Sequence, residues 1–218
     1  MTGPVGAVAL VLLGYLIGAI PFGILAGRMA RGVDLREHGS RRTGTTNALR
    51  TLGLGWAVAV FVLDVAKGAV AVVLAQALYQ AGAAGTSEWV AAAAGVAAVV
   101  GHNWSVFIGF RGGRGVATSA GGLLVISPWT LAAIAPLMAI VVLQSRYVSL
   151  GSVVAAAAAP AVTALLATIG VVGWAAVAYA LASGLLIIGS HGDNLRRLRD
   201  GTERRIGERE AASSNGRG

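Results

Sequence analysis

The chain has 218 residues, of which 56% are hydrophobic and 12% charged, with a mean hydropathy of +0.75 and a net charge of +8. A water-soluble domain of that length has too little interior to hide so much apolar side chain, so lipid is the solvent for most of it. With no cysteine there is no disulfide framework, thiol nucleophile or thiolate metal site, and three scattered histidines make no zinc site; neither a structural metal nor a cofactor is expected.

A helix crossing the bilayer core needs about 20 apolar residues. The first apolar run, from Val5 to Gly27, has no basic stretch before it and no clear small-residue cleavage site, so it reads as a retained span. The same rule places further spans near 52–79, 89–110, 115–127, 131–144, 148–168 and 171–190, with the first at 4–27. The fourth is too short to cross alone and is either a half-helix or continuous with the fifth around Pro128, which leaves five or six spans open beside seven. The expected fold is therefore all-α, a polytopic transmembrane bundle of about seven spans with some short helices. Residues 1–207 form one membrane domain, and the polar tail at 208–218 is expected to be disordered.

Every basic residue except Lys67 lies in a connection or a tail. Arg28, Arg31, Arg36, Arg41, Arg42 and Arg50 follow the first span, Arg111 and Arg114 the third, Arg146 the fifth, and Arg196, Arg197, Arg199, Arg204, Arg205, Arg209 and Arg217 the last. The alternate connections near 80–88, 128–130 and 169–170 hold no lysine or arginine. By the positive-inside rule this pattern puts the N-terminus outside and the C-terminus in the cytoplasm. The charge thus has a topological origin, and no nucleic-acid partner is expected. Ala91–Ala94, Ala155–Ala159 and the glycines within the spans let helix backbones approach closely.

Three polar segments gather on the expected cytoplasmic face: Gly39–Arg50, Gly101–Thr118 and His191–Arg205. In the first, Gly39-Ser40-Arg41-Arg42-Thr43-Gly44-Thr45-Thr46-Asn47 offers hydroxyls, an amide and backbone N–H groups just ahead of a helix, with Arg50 able to point back. Taken alone, a capped helix start facing anionic headgroups explains it as well or better. In the second, Phe110-Arg111-Gly112-Gly113-Arg114-Gly115 alternates planar cations with glycines, a pattern that can wrap and neutralise a phosphate. It lacks the Gly-Lys-Ser/Thr ending of a nucleotide P-loop. The third carries His191, Asn194 and Glu203 among Arg196, Arg197 and Arg199. A lone histidine at a helix end is more often a cap than a catalyst, but three such segments on one face are less easily coincidental.

Read together, these segments resemble the bacterial acyl-phosphate:glycerol-3-phosphate acyltransferases of the PlsY type. That family has a first motif like Gly-Ser-Gly-Asn-x-Gly-Ala-Thr-Asn-x-x-Arg, here Gly39 to Arg50. Its second, like Gly-His-x-Phe-x-x-Phe-x-x-Phe-Lys-Gly-Gly-Lys-Gly-Val-Ala-Thr, runs here from Gly101 to Thr118, and its third, like His-x-x-Asn-x-x-Arg-Leu-x-x-Gly-x-Glu, from His191 to Glu203. The likeness extends to Gly14-Tyr15-Leu16-Ile17-Gly18, Ile20-Pro21-Phe22-Gly23, Asp64-x-x-Lys67-Gly68 and Ser145-Arg146-Tyr147-Val148-Ser149-Leu150, so it spans nearly the whole chain in order. Departures fall at Arg41 and Arg42 in place of Gly and Asn, Thr45 in place of Ala, Trp104 in place of Phe, and Arg111 and Arg114 in place of lysines. They bear on substrate preference and efficiency more than on reaction class.

The resemblance implies transfer of a fatty acyl group from acyl phosphate to the 1-hydroxyl of glycerol 3-phosphate, in a multi-pass protein of the bacterial inner membrane with its active site facing the cytoplasm. It implies catalytic roles for Ser40, Arg50, His191 and Asn194, and substrate binding by Thr46, Asn47, His102, Arg111, Gly112, Gly113, Arg114, Gly115 and Ser149. On this reading the first motif aligns one phosphate and the glycine-arginine loop cradles the other. Either His191 or a substrate phosphate oxygen serves as the base. None of His38, His102 or His191 is followed five residues on by an aspartate, so the His-x-x-x-x-Asp pair of other glycerolipid acyltransferases is absent. Asp64 and Lys67, three apart within an apolar stretch, read as a buried ion pair, and Glu203 as a structural partner of nearby arginines. Membrane lipid is the expected surrounding, and no obligate protein partner is implied. The rival readings are a transporter or channel for an anionic solute, with Asp64 and Lys67 on the pathway, and a non-catalytic lipid-binding scaffold.

Overall fold

The computed structural model describes residues 3–79 and 86–207, and within them the chain is helical, with no strand among the described residues. Most of the expected 80–88 connection and all of the tail at 208–218 lie outside the described residues. The helices are α1 (Gly3–Ala19), α2 (Phe22–Arg31), α3 (Thr45–Leu52), α4 (Leu54–Leu78), α5 (Thr86–Asn103), α6 (Val116–Ile126), α7 (Pro128–Ser145), α8 (Val148–Thr168), α9 (Trp174–Ser190) and α10 (Gly192–Arg199). Five stretches are long and apolar enough to cross a membrane: Gly3–Arg31, Leu54–Leu78, Ser87–Ile108, Pro128–Ser145 and Val148–Thr168. A sixth arises if α9 and α10, bent by 57° at their junction, count as one. At 11 residues α6 is about 16 Å long, about half the hydrocarbon thickness.

The structure revises three boundaries. The run over 4–27 is not one helix, because α1 ends at Ala19 and α2 begins at Phe22. Pro21 has no N–H to continue the ladder, and the carbonyls freed at the break find other donors. Ser105 Oγ donates to Ala19 O at 2.6 Å, and Lys67 Nζ donates to Ile20 O at 3.0 Å. The run over 89–110 is α-helical only to Asn103 and finishes as a 3-10 turn, Val106–Ile108, closed by Gly109 in the left-handed region. Helices α6 and α7 are separate, divided at Ser127, with Pro128 in the first turn of α7, where its missing N–H costs nothing.

Small residues set the packing. Helix α1 lies on α5 so closely that a Cβ at Gly14, Gly18 or Gly101 would overlap the backbone of Ala94, Ala98 or Tyr15 respectively. Tyr179 of α9 is fully buried between Gly95 and Gly122, where any Cβ would overlap its ring, and its hydroxyl donates to Ser119 O at 3.0 Å. With α4 packed on α5 and α6, and α8 on α7 and α9, the helix ends bearing the three polar segments meet on one side of the bundle.

Candidate active site

The first polar loop is organised from within by Asn47, which is almost fully buried at the start of α3. Its Oδ1 accepts the Ser40 N–H at 2.9 Å, while Nδ2 donates to Leu35 O, His38 O and Arg42 O at 2.8, 3.1 and 2.8 Å. These bonds spend the amide on the loop's own backbone, so Asn47 shapes the wall of the cavity that it lines. Ser40, Thr45, Thr46 and Arg50 line the cavity beside it. The loop is moored by Arg36, which is paired with Asp34 at 2.7 Å and donates through Nη1 to Ile108 O at 2.8 Å.

The glycine-arginine loop is folded back on the end of α5. Gly112 N–H donates to Asn103 O at 3.1 Å and Gly113 N–H to His102 O at 3.0 Å. The orphan carbonyls of the α5 terminus hold those two N–H groups, which in this arrangement do not form the expected cradle. Glycine is required here for a different reason, since a Cβ at Gly113 would overlap the His102 ring and one at Gly112 the His102 carbonyl. Arg111 is exposed and does not line the cavity, whereas Arg114 and Gly115, at the start of α6, do.

Beneath the loop lies a cluster formed by α4 and α5. Asp64 Oδ1 is 2.8 Å from Lys67 Nζ and 3.5 Å from His102 Nδ1, all three residues are buried, and the Lys67 ammonium also sits 5.6 Å from the centre of the Phe22 ring. Asp64 and His102 reach the cavity floor; Lys67 does not line it. The histidine and aspartate excluded as a local sequence pair thus meet in space from two helices.

The third segment is gathered by Glu203. Its carboxylate accepts from Ser149 Oγ at 2.7 Å, Asn194 Nδ2 at 2.6 Å and Arg197 Nε at 2.8 Å. Burial opposes its ionisation, but those hydrogen bonds outweigh it and hold the carboxyl below the usual carboxylate range. The chain around Glu203 is strapped to the α7–α8 turn: Ile206 N–H donates to Arg146 O and Arg146 Nη2 to Ile206 O, both at 2.8 Å, and Arg205 Nε donates to Tyr147 Oη at 3.1 Å. His191, at the bend beyond the end of α9, is 2% exposed. Burial pushes its imidazole down to about 4, against the pull of the Ile187 carbonyl 2.8 Å from Nδ1. That carbonyl needs the proton on Nδ1, which leaves Nε2 as an acceptor at neutral pH.

These segments enclose a cavity of about 410 Å³. Six arginines (Arg41, Arg42, Arg50, Arg114, Arg197 and Arg204) line it against two carboxylates, Asp64 and Glu203, so the cavity is strongly electropositive. Arg114 is the most telling. Its Nε is buried with no hydrogen-bond partner, and burial, reinforced by the charge of Arg42, lowers its guanidinium to about 10, so it stays cationic at pH 7 in need of an anion. Phe61, Met138, Val148 and Val116 give one flank an apolar character, and Phe61 is 47% exposed on the outer surface of α4. Sequence reasoning did not single out Phe61, Met138, Ser152 or Arg204 as lining residues; they lie outside the short motif cores or on helix faces that only packing reveals.

Residues 8–201 match the family model described as glycerol-3-phosphate acyltransferase. Glycerol-3-phosphate acyltransferases of Synechococcus sp. and Thermus thermophilus are each 46% identical to this chain, over 202 residues (92% of this chain, 95% of the relative) and 207 residues (93% and 96%) respectively. A solved structure described as PlsY, an integral membrane glycerol 3-phosphate acyltransferase in its glycerol 3-phosphate form, superposes with a TM-score of 0.81 at 36% identity, covering 92% of this chain and 96% of the other. The lysophosphatidic acid form gives 0.79 at 35%. With the cavity's cations, its apolar flank and these likenesses in agreement over almost the whole length, the chain belongs to the glycerol-3-phosphate acyltransferase family.

Proposed function

We propose that this multi-pass membrane enzyme acylates the 1-hydroxyl of glycerol 3-phosphate with acyl phosphate as donor, an early step of phospholipid synthesis, at a cavity facing the cytoplasm of the bacterial cell membrane. The observation that carries the reading is the arginine-rich cavity with one apolar flank, in a chain of this family: two phosphates and an acyl chain suit it, and a neutral solute does not. The glycerol hydroxyl attacks the acyl carbonyl carbon, the bond from that carbon to the phosphate oxygen breaks, and lysophosphatidate and inorganic phosphate leave. Acyl phosphate is already activated, so no protein nucleophile is needed. Arg114, with Gly115 beside it, neutralises one phosphate; Ser40, Thr46 and Arg50 align the other; His191 and Asn194 orient glycerol 3-phosphate. With His191 lowered to about 4 and a phosphate's second ionisation near 6, a substrate phosphate oxygen is the stronger base, and His191 serves as a hydrogen-bond acceptor. The acyl chain leaves sideways past Phe61 and Met138 toward lipid.

Residues 1–207 act as one domain with the N-terminus outside and the C-terminus in the cytoplasm. Reporters fused after Arg50, Arg114, Arg146 and Arg199 should all read cytoplasm, and one near Ser87 the outside; opposite readings after Arg50 and Arg114 would remove the shared face. The transporter alternative is not favoured, since Asp64 and Lys67 are paired with each other and the cavity's arginines crowd one end of the bundle. The deciding assay incubates purified protein with labelled glycerol 3-phosphate and either acyl phosphate or acyl-CoA. Lysophosphatidate should form with the first donor only, and equal turnover with acyl-CoA would refute the donor assignment.

A further inference from the structure

Behind the glycine-arginine loop lies a second cavity, of about 340 Å³, lined by Arg42, Asn103, Gly113, Ser190, Asp193 and Arg196 among others. Arg42 lines both cavities, and the partition between them is the 113–115 loop fastened to α9, where Ser190 Oγ donates to Arg114 O at 3.2 Å. Two features make this space a built one. Both polar atoms of the Asn103 side chain are buried without a hydrogen-bond partner in the chain, and the residue is only 3% exposed. Two guanidinium groups, those of Arg42 and Arg196, face one carboxylate, Asp193, which is ion-paired with both, so the lining keeps a net positive charge. A stranded primary amide beside surplus guanidinium charge is a recognition set for a small oxyanion. Arg42 stands where the resembling family usually has asparagine, and Asn103 occupies a variable place in its second motif.

We propose that this second cavity is a phosphate-binding site, separated from the first by the glycine-arginine loop and sharing Arg42 with it. It holds the phosphate dianion, supplied either by the inorganic phosphate released in the reaction or by glycerol 3-phosphate before it enters. The inference rests on the acyl-phosphate reading for its place in the cycle, but its occupancy is measurable without turnover. Equilibrium binding of labelled inorganic phosphate to the full chain in lipid nanodiscs should find one phosphate more per chain for the wild type than for Asn103→Leu and for Arg196→Ala. The Arg196 side chain is 71% exposed on α10, so Arg196→Ala folds even if Asn103→Leu does not. Saturating glycerol 3-phosphate should leave the difference of one labelled phosphate between wild type and variants in place if the site serves the released phosphate, and abolish it if the site also takes the monoester. With acyl phosphate supplied, the two variants should need about tenfold more inorganic phosphate for the same inhibition of lysophosphatidate formation. Equal stoichiometry in the wild type and both variants overturns the site. Absence of lysophosphatidate from wild-type protein that still binds one phosphate more than the variants would instead overturn the donor reading and leave the site standing.

Discussion

Asp64, Lys67 and His102 form one buried set of charged and titratable groups, and Arg114 stands half-buried among the arginines of the cavity, yet the fold treats the two in opposite ways. In the first, the Lys67 ammonium is shared between the Asp64 carboxylate, the Ile20 carbonyl and the face of Phe22, and Asp64 also has His102 within 3.5 Å, so the charges answer one another. In the second, cations outnumber carboxylates around the cavity and Arg114 Nε has no partner. A charge whose partners come from the chain holds helices together; one left short of an anion waits for a ligand. The first set joins α4 to α5 and to the α1–α2 break, while Arg114 joins no such pair.

The contrast can be broken by removing one member at a time. Lys67→Met leaves Asp64 buried beside His102 alone and should cost about 3–5 kcal/mol of stability, read as a lowered melting temperature in detergent, with Asp64→Leu/Lys67→Met recovering much of it. A single substitution that leaves the melting temperature unchanged would mean that the pair does not hold the helices. Gly113→Ala forces a methyl group against the His102 ring and should cost about 1–3 kcal/mol, with thermal unfolding showing the loss before any change in phosphate affinity. An unchanged melting temperature with weakened phosphate binding would return Gly113 to the cradle role.

Glu203→Gln keeps an acceptor but removes the charge that draws in Arg197, Asn194 and Ser149, and should cost on the order of 1 kcal/mol, with kcat/KM falling more than stability as the third segment loosens. The smallest effect is one of pH. His191 titrates in the folded chain near 4 instead of its ordinary 6.5, so as pH falls the unfolded chain takes up the proton first. Its contribution to stability is complete above about pH 6.5 and is lost between there and pH 4. The pH–rate profile should therefore show no histidine limb at 6.5, and a limb there that vanishes in His191→Gln would make His191 the base.

Much of this architecture was legible in the residues. Apolar runs point to a helical membrane bundle, and three ordered motifs point to a shared polar face. What escaped is what depends on geometry across the chain. The apolar run through Pro21 hides a break because hydropathy does not register a missing N–H, and only Lys67 and Ser105, far along the chain, show what the freed carbonyls require. Asp64 and His102 are 38 residues apart, so no local motif could pair them. The pattern Arg111-Gly112-Gly113-Arg114 reads as a cradle, but the end of α5 takes two of its N–H groups, and only the arginine at its end reaches the cavity.

The central claim is that the unpaired cation of the cavity serves the substrate and not the fold, and Arg114→Ala tests it most directly. Losing a charge-assisted hydrogen bond of roughly 1.5–3 kcal/mol should lower kcat/KM for lysophosphatidate formation by about ten- to a hundredfold. The melting temperature should stay at or above that of the wild type, because removing a desolvated charge relieves the fold. Folded Arg114→Ala protein with wild-type kinetics toward both acyl phosphate and glycerol 3-phosphate would contradict the account.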